Sequence, residues 1–162
     1  MQRNLTPSPD VSDLAARYVT WALEFERTCM ESGRQASRYF FGEGLSLYTR
    51  WARTKLATQG RPTFVLANIE VAPELRGRGL FSLICGRLMS EESGLKSDAL
   101  YVELVGEPRL AAWLTRNGFS KCPHSDDIAP SFYLLRTGSA SSELVEDKLA
   151  ELPSWTQPQT LR

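Results

Sequence analysis

Residues Val71 to Leu88 read VAPELRGRGLFSLICGRL. Across this stretch the spacing of apolar side chains changes from two residues to about 3.6. The preceding run, PTFVLANIEV, is apolar and rich in β-branched residues, and predicts a strand ending near Val71. After Gly79, the residues Leu80, Leu83, Ile84 and Leu88 return at helical intervals, and the pattern predicts a helix that ends near Gly94. A strand therefore runs into a helix through a turn whose glycines, Gly77 and Gly79, open backbone dihedrals closed to other residues. The first N–H groups of such a helix have no partner within it and carry the positive end of the peptide dipoles, and Arg76 and Arg78 add full charges beside them. The junction predicts an anion site suited to a phosphate or pyrophosphate. Alternating glycine and arginine is also ordinary content of a solvated loop; the strand before and the helix after favour the ligand.

Around this junction the chain has 162 residues, the size of one domain with a real core. Lys plus Arg and Asp plus Glu number 19 each, so the net charge is zero. That balance argues against an avid nonspecific nucleic-acid binder and leaves room for a local basic cleft. Arg50, Arg53, Lys55 and Arg61 are candidates for such a cleft, or simply the polar face of a strand. Cys29, Cys85 and Cys122 are odd in number and lack paired spacing, which suggests a reducing compartment, with Cys85 a small buried side chain. No signal-peptide core and no long apolar run is present in the sequence, so a cytoplasmic protein with no membrane partner is expected.

The segment from Asp10 to Gly33 predicts one long helix, with Leu14, Tyr18, Trp21, Ala22, Phe25 and Met30 near one face. A short helix or loop is expected around Tyr39 to Phe41, broken by Gly42 and Gly44. Leu45 to Leu56 alternates as a half-exposed strand, and TQGRP turns it into the strand from Thr63 to Val71. DALYVELV predicts a strand parallel to that one, GEPRLAAWLTRNGF a helix starting at Pro108 and stopped by Asn117 and Gly118, and IAPSFYLLRT a closing strand. The fold class is α+β, with a βαβα unit in the middle and a mixed central sheet flanked by helices. Residues 1–138 make the domain. Residues 139–162 are expected to form a helical extension on Leu144, Val145, Leu149 and Leu152 that packs on the domain or on a partner subunit, with a homodimer as one outcome.

The order of strand, V-x-P-x-x-R-G-R-G-L, helix, strand, short helix, N-G-F and closing strand, from about Thr63 to Arg136, resembles the GCN5-related N-acetyltransferase (GNAT) family. The part before Thr63 is divergent. The resemblance implies acetyl-CoA as cosubstrate: Val71, Arg76, Gly77, Arg78, Gly79 and Leu80 are implied as contacts, Ile69 and Glu70 flank the thioester, and Phe81 stands where the family usually has glycine or alanine. It also implies transfer of an acetyl group to a primary amine of an acceptor that is a protein, a small molecule or an aminoacylated RNA. The family often has an asparagine where Glu107 stands, and a proton-donating tyrosine where Leu114 stands.

Acyl transfer needs a group to take the amine proton, a donor for the carbonyl oxygen and a proton for the departing thiolate. A strand N–H near Val71 or Glu70 is the candidate donor. Glu70 and Glu103, near the ends of neighbouring strands, are candidate bases, and Tyr101 and Tyr133 alternative proton donors. A glutamate at a strand end is also commonly just solvated, and a tyrosine a core aromatic with its hydroxyl at the surface. Cys122 and His124 fall short of the four ligands of a usual metal site, and no metal is expected. The alternative to an enzyme is a noncatalytic acetyl-CoA or CoA-binding module, or an interaction protein that keeps the scaffold.

Overall fold

A computed structural model describes residues 10–56, 59–122 and 125–136. The expected extension at residues 139–162 and His124 lie outside the described residues. Helix α1 (Val11–Ser32) begins at Asp10, whose side chain accepts from the Ser12 N–H, and ends at Gly33 in the left-handed region. These are the side-chain cap and the glycine stop that free helix ends require. Its buried stripe of Leu14, Tyr18, Ala22 and Phe25 packs on the sheet.

The sheet has six strands: β1 (Ala36–Gly42), β2 (Leu45–Leu56), β3 (Gln59–Val71), β4 (Ala99–Val102), β5 (Ser120–Lys121) and β6 (Phe132–Leu135). Their spatial order is β1-β2-β3-β4-β6-β5. Strand β4 is parallel to β3 and every other pairing is antiparallel, so the sheet is mixed, as the sequence predicts. Helix α2 (Leu80–Leu88) links β3 to β4, and α3 (Pro108–Arg116) follows β4, with Pro108 in its first turn.

Four elements depart from expectation, the first being β3, whose residues Gln59 to Pro62, expected in a turn, pair with Leu56 to Arg53 of β2. Tyr39 to Phe41 form neither a helix nor a loop; they lie in β1, which pairs with β2 from Ala36↔Trp51 to Gly42↔Leu45. Pairing with a neighbour outweighs the glycines, which serve the tight turn, where Gly44 takes a φ of 79°. Helix α2 stops at Leu88, well before Gly94, because the chain folds back: Leu95 N–H donates to the Leu88 carbonyl and Gly94 N–H to that of Ser90. Strand β5 has two residues and no apolar alternation to announce it.

The main core joins one sheet face to the helices, with Leu47, Trp51, Phe64, Leu66, Leu100 and Val102 against Leu14, Tyr18, Ile84 and Leu88. Helix α3 enters it through Leu114. The opposite face has its own small apolar cluster, Val65, Ala99, Tyr101 and Cys122, with Ala67, Tyr133 and Leu135 packed against it. Among the described residues no helix contributes to that second cluster. Nor, among them, is any helix long and apolar enough to cross a membrane.

Candidate functional site

Strands β3 and β4 separate beyond Leu66. Their register runs from Thr63↔Ala99 to Leu66↔Val102 and is closed by the Glu103 N–H donating to the Leu66 carbonyl at 2.9 Å. At that level β3 carries one residue more than β2: Thr49 pairs with Leu66 but Tyr48 with Asn68, leaving Ala67 as a bulge. A bulge bends its strand and sharpens the twist. Strand β3 then continues along β2 to Val71, while the chain after β4 turns off towards α3.

This leaves a free strand edge. The Ala72 N–H donates to the Gly44 carbonyl at 2.8 Å, which makes Leu45↔Val71 a non-hydrogen-bonded pair, and by alternation Leu47↔Ile69 is another. The N–H and C=O groups of Ile69 and Val71 therefore point away from β2, into the gap that β4 vacates. One is engaged within the chain, since Arg76 Nε donates to the Val71 carbonyl at 2.8 Å.

The edge borders a groove of about 770 Å³ walled by Phe41, Ser46, Ile69, Val71, Phe81 and Leu110, with Glu70, Arg76 and Glu107 as its charged groups. A second hollow of about 390 Å³ shares Val71, Arg76, Phe81, Glu107 and Leu110 with it and reaches Gly77, Gly79, Leu80, Ser82 and Trp113. Phe81 stands between the two and meets the Trp113 ring edge-on, centroids 5.5 Å apart at 77°. The bulk at this position thus braces α2 against α3.

Gly79 is the N-cap of α2, with φ 79° and no side-chain cap, and Gly77 has φ 72°. A Cβ at either position would meet nothing within 4 Å, so it is the left-handed backbone and not crowding that calls for glycine. The N–H groups of Leu80, Phe81 and Ser82 in the first turn have no partner within the helix, and all three residues line the smaller hollow.

The candidate catalytic residues do not converge. Glu70 is exposed on the groove wall, its Oε1 accepting from Asn68 Nδ2 at 3.2 Å. Glu103 pairs with Arg50, each side chain about one-eighth exposed (12% and 13%). Burial pulls the Arg50 guanidinium below its ordinary value, and Glu103 is the counter-ion that answers it. Tyr101 and Tyr133 face each other across β4 and β6 on the helix-free face. Burial, with a hydrogen bond to Cys122, pushes the Tyr101 hydroxyl above its ordinary range, and Ser131 bonds the same hydroxyl. Neither tyrosine is among the groove walls, and neither are Glu103 and Arg78. Ile69, Glu70, Val71, Arg76, Gly77, Gly79, Leu80 and Phe81 all are.

Glu107 caps α3, its Oε1 accepting from the Arg109 N–H at 3.0 Å, and lines both hollows. Leu114 is wholly buried in the core. Sequence reasoning did not find Phe41, Ser46 and Leu110 as groove walls; the signal for the first two was the GEG turn between two runs of strand-forming residues. Among the described residues no group of three or more His, Cys, Asp or Glu could hold a metal ion.

No protein-family model and no curated protein matches the chain. Among solved structures, it is similar to a mutant AtaT toxin bound to the C-terminus of the antitoxin AtaR and acetyl-CoA, with 15% identity over 56% of this chain and a TM-score of 0.40; the match spans 57% of the toxin chain. An acetyltransferase from Thermus thermophilus is 16% identical over 78% of this chain and 85% of its own, with a TM-score of 0.41. A histone acetyltransferase HPA2 and related acetyltransferase from Corynebacterium glutamicum is 20% identical over 84% and 81%, with a TM-score of 0.38. Each likeness is one of fold alone. The chain's own strand order, its mixed sheet with helices and its glycine turn ahead of α2 make up the GNAT-like α+β fold that the sequence led us to expect.

Proposed function

We propose that the chain binds acetyl-CoA along the free edge of β3 and transfers its acetyl group to a primary amine. The observation that carries this reading is the meeting of two features in adjoining hollows: backbone groups of Ile69 and Val71 that β2 leaves unpaired, with only the Val71 carbonyl engaged by Arg76, and an α2 N-terminus with no side-chain cap behind Gly79. An amide-bearing chain is recognised by a strand edge, as a peptide is when it extends a sheet. A pyrophosphate is recognised by N–H groups at a helix start. Bound acetyl-CoA supplies an activated acyl group.

The protein's part is then to orient and to move protons. The edge N–H groups are placed to donate to the acyl oxygen. Glu70, on the groove wall, is placed to accept the proton that the amine gives up as its nitrogen bonds to the acyl carbon and the carbon–sulfur bond breaks. Leu114 is buried and has no proton to donate, so the proton for the departing thiolate comes from solvent. A cytoplasmic setting, where acetyl-CoA is available, belongs to the same proposal.

Calorimetric titration with acetyl-CoA tests the cofactor, and thiol release over a panel of amines tests the transfer. Saturable binding with thiol release supports the proposal. Binding without thiol release for any amine favours a noncatalytic CoA-binding module, the reading that buried Leu114 also favours. Absence of binding overturns both.

A further inference from the structure

We infer that the acceptor is a linear diamine or polyamine, recognised on the helix-free face of the sheet by an aromatic shelf beside Glu70; this rests on the acetyl-transfer reading above. The register places two rows of side chains on that face. One is Phe41, Ser46 and Glu70, and the next is Tyr39, Tyr48 and Asn68. Large aromatic side chains seldom stand open to water on a sheet edge, yet Phe41 is 75% and Tyr39 52% exposed. Their rings stack at 5.5 Å and 11°, and Tyr39 lies 4.6 Å from the Tyr48 ring. Phe41 and Glu70 both line the groove, so the shelf begins where the reacting nitrogen must stand.

Aromatic faces beside carboxylate and carbonyl oxygens are the recognition chemistry of an alkylammonium ion. In the first row Glu70 faces the reacting amine. In the second, Asn68 uses its Nδ2 on Glu70, which leaves its Oδ1 to accept from a second ammonium lying over Tyr39 and Tyr48. Rows two residues apart lie about 7 Å apart along the strand, roughly the span of four or five methylenes between two nitrogens. The third row is Ser37, Arg50 and Val65; it has no aromatic ring, and the positive charge of Arg50, matched by Glu103, offers a further ammonium nothing. The shelf therefore measures out a short spacing between two cations, a feature that a lysine side chain, with one ammonium, does not use.

The test takes the full chain and Tyr39→Leu, whose exposed position outside the groove walls keeps folding and acetyl-CoA binding intact. Spermidine is titrated calorimetrically into each protein without acetyl-CoA, acetyl-CoA is titrated separately, and kcat/KM is measured for 1,4-diaminobutane, butylamine and a lysine tripeptide. The inference expects saturable spermidine binding weakened about tenfold in Tyr39→Leu, with unchanged acetyl-CoA affinity. It also expects a diamine-to-butylamine ratio of at least about ten that falls towards one in the variant. Absence of spermidine binding, an unchanged ratio in the variant, or a preference for the tripeptide overturns the inference even where acetyl-CoA binds and is used. Spermidine binding without acetyl-CoA binding overturns the acetyl-transfer reading, and with it the acceptor role, while leaving the cation shelf.

Discussion

The carboxylate of Glu26, on α1, accepts hydrogen bonds from both the backbone N–H (2.7 Å) and the hydroxyl (2.5 Å) of Ser97, just ahead of β4. The Lys96 N–H donates to the same carboxylate at 3.0 Å, and Ser97 Oγ accepts from Trp51 Nε1 at 3.2 Å. Glu26 is 3% and Ser97 1% exposed, so the Ser97 donors have no water to turn to. Glu26→Ala is expected to lower stability by about 2–4 kcal/mol, because hydrogen bonds to a charged group are strong and buried donors left unmade are costly. Urea denaturation measures it, and a loss below that of an ordinary surface substitution would show that the loop finds other acceptors.

Glu70 and Glu103 are expected to separate by phenotype. Glu70→Gln should reduce turnover at unchanged acetyl-CoA affinity, since the side chain is exposed on the groove wall and holds little of the fold. Glu103→Ala leaves Arg50 buried without its counter-ion, and should cost about 3 kcal/mol of stability. Calorimetric titration and melting of both variants read the split. Equal melting temperatures would contradict the structural role given to Glu103.

Gly79→Ala is expected to cost about 1 kcal/mol in stability through its φ of 79° alone, since open space surrounds the new Cβ. Acetyl-CoA affinity should fall by more than it does in Arg78→Ala, because the added methyl stands where a phosphate must approach several N–H groups, and an exposed arginine contributes about 0.3–1 kcal/mol. Titration of the two variants side by side decides the order.

Alkaline pH should destabilise the chain. Burial raises the Cys85 thiol and the Tyr18 hydroxyl above their ordinary values of 9.0 and 10.0, with the Thr49 bond only partly offsetting burial at Tyr18. Both groups therefore lose protons first in the unfolded chain. Their contribution is intact below pH 9 and declines as pH rises from there towards the folded-state values. Urea midpoints at pH 7 and pH 10 check the sign, and Cys85 should resist thiol reagents until the chain unfolds.

The glycine turn was readable because it is local: two left-handed residues need glycine, and the change of period marks the strand and helix on either side. The parallel β3–β4 pair followed from the same unit. Strand β1 was not readable, because Tyr39, Phe40 and Phe41 are all aromatic and break the apolar–polar alternation, and their conformation is set by pairing with β2. The partner of Glu103 lies 53 residues away, at Arg50, so nothing near Glu103 in sequence announces the ion pair. The groove walls from the hairpin were missed with β1 itself.

Ala67 is a single inserted residue, and its consequence is a matter of counting. Removing it would leave every partner across β2 and β3 as it is, with Leu66 still opposite Thr49 and the residue after it opposite Tyr48. No side chain from Asn68 to Val71 would change face. What would go is the bend, which parts β3 from β4 together with the left-handed turn at Leu104 (φ 49°) and the Val105 N–H bond to the Pro130 carbonyl. A chain one residue shorter here would keep its hydrophobic pattern and its helices while losing one of the features that hold the opening beside β3. To a comparison of sequences that difference is one gap in a strand; to the molecule it is part of what gives the sheet room for a ligand.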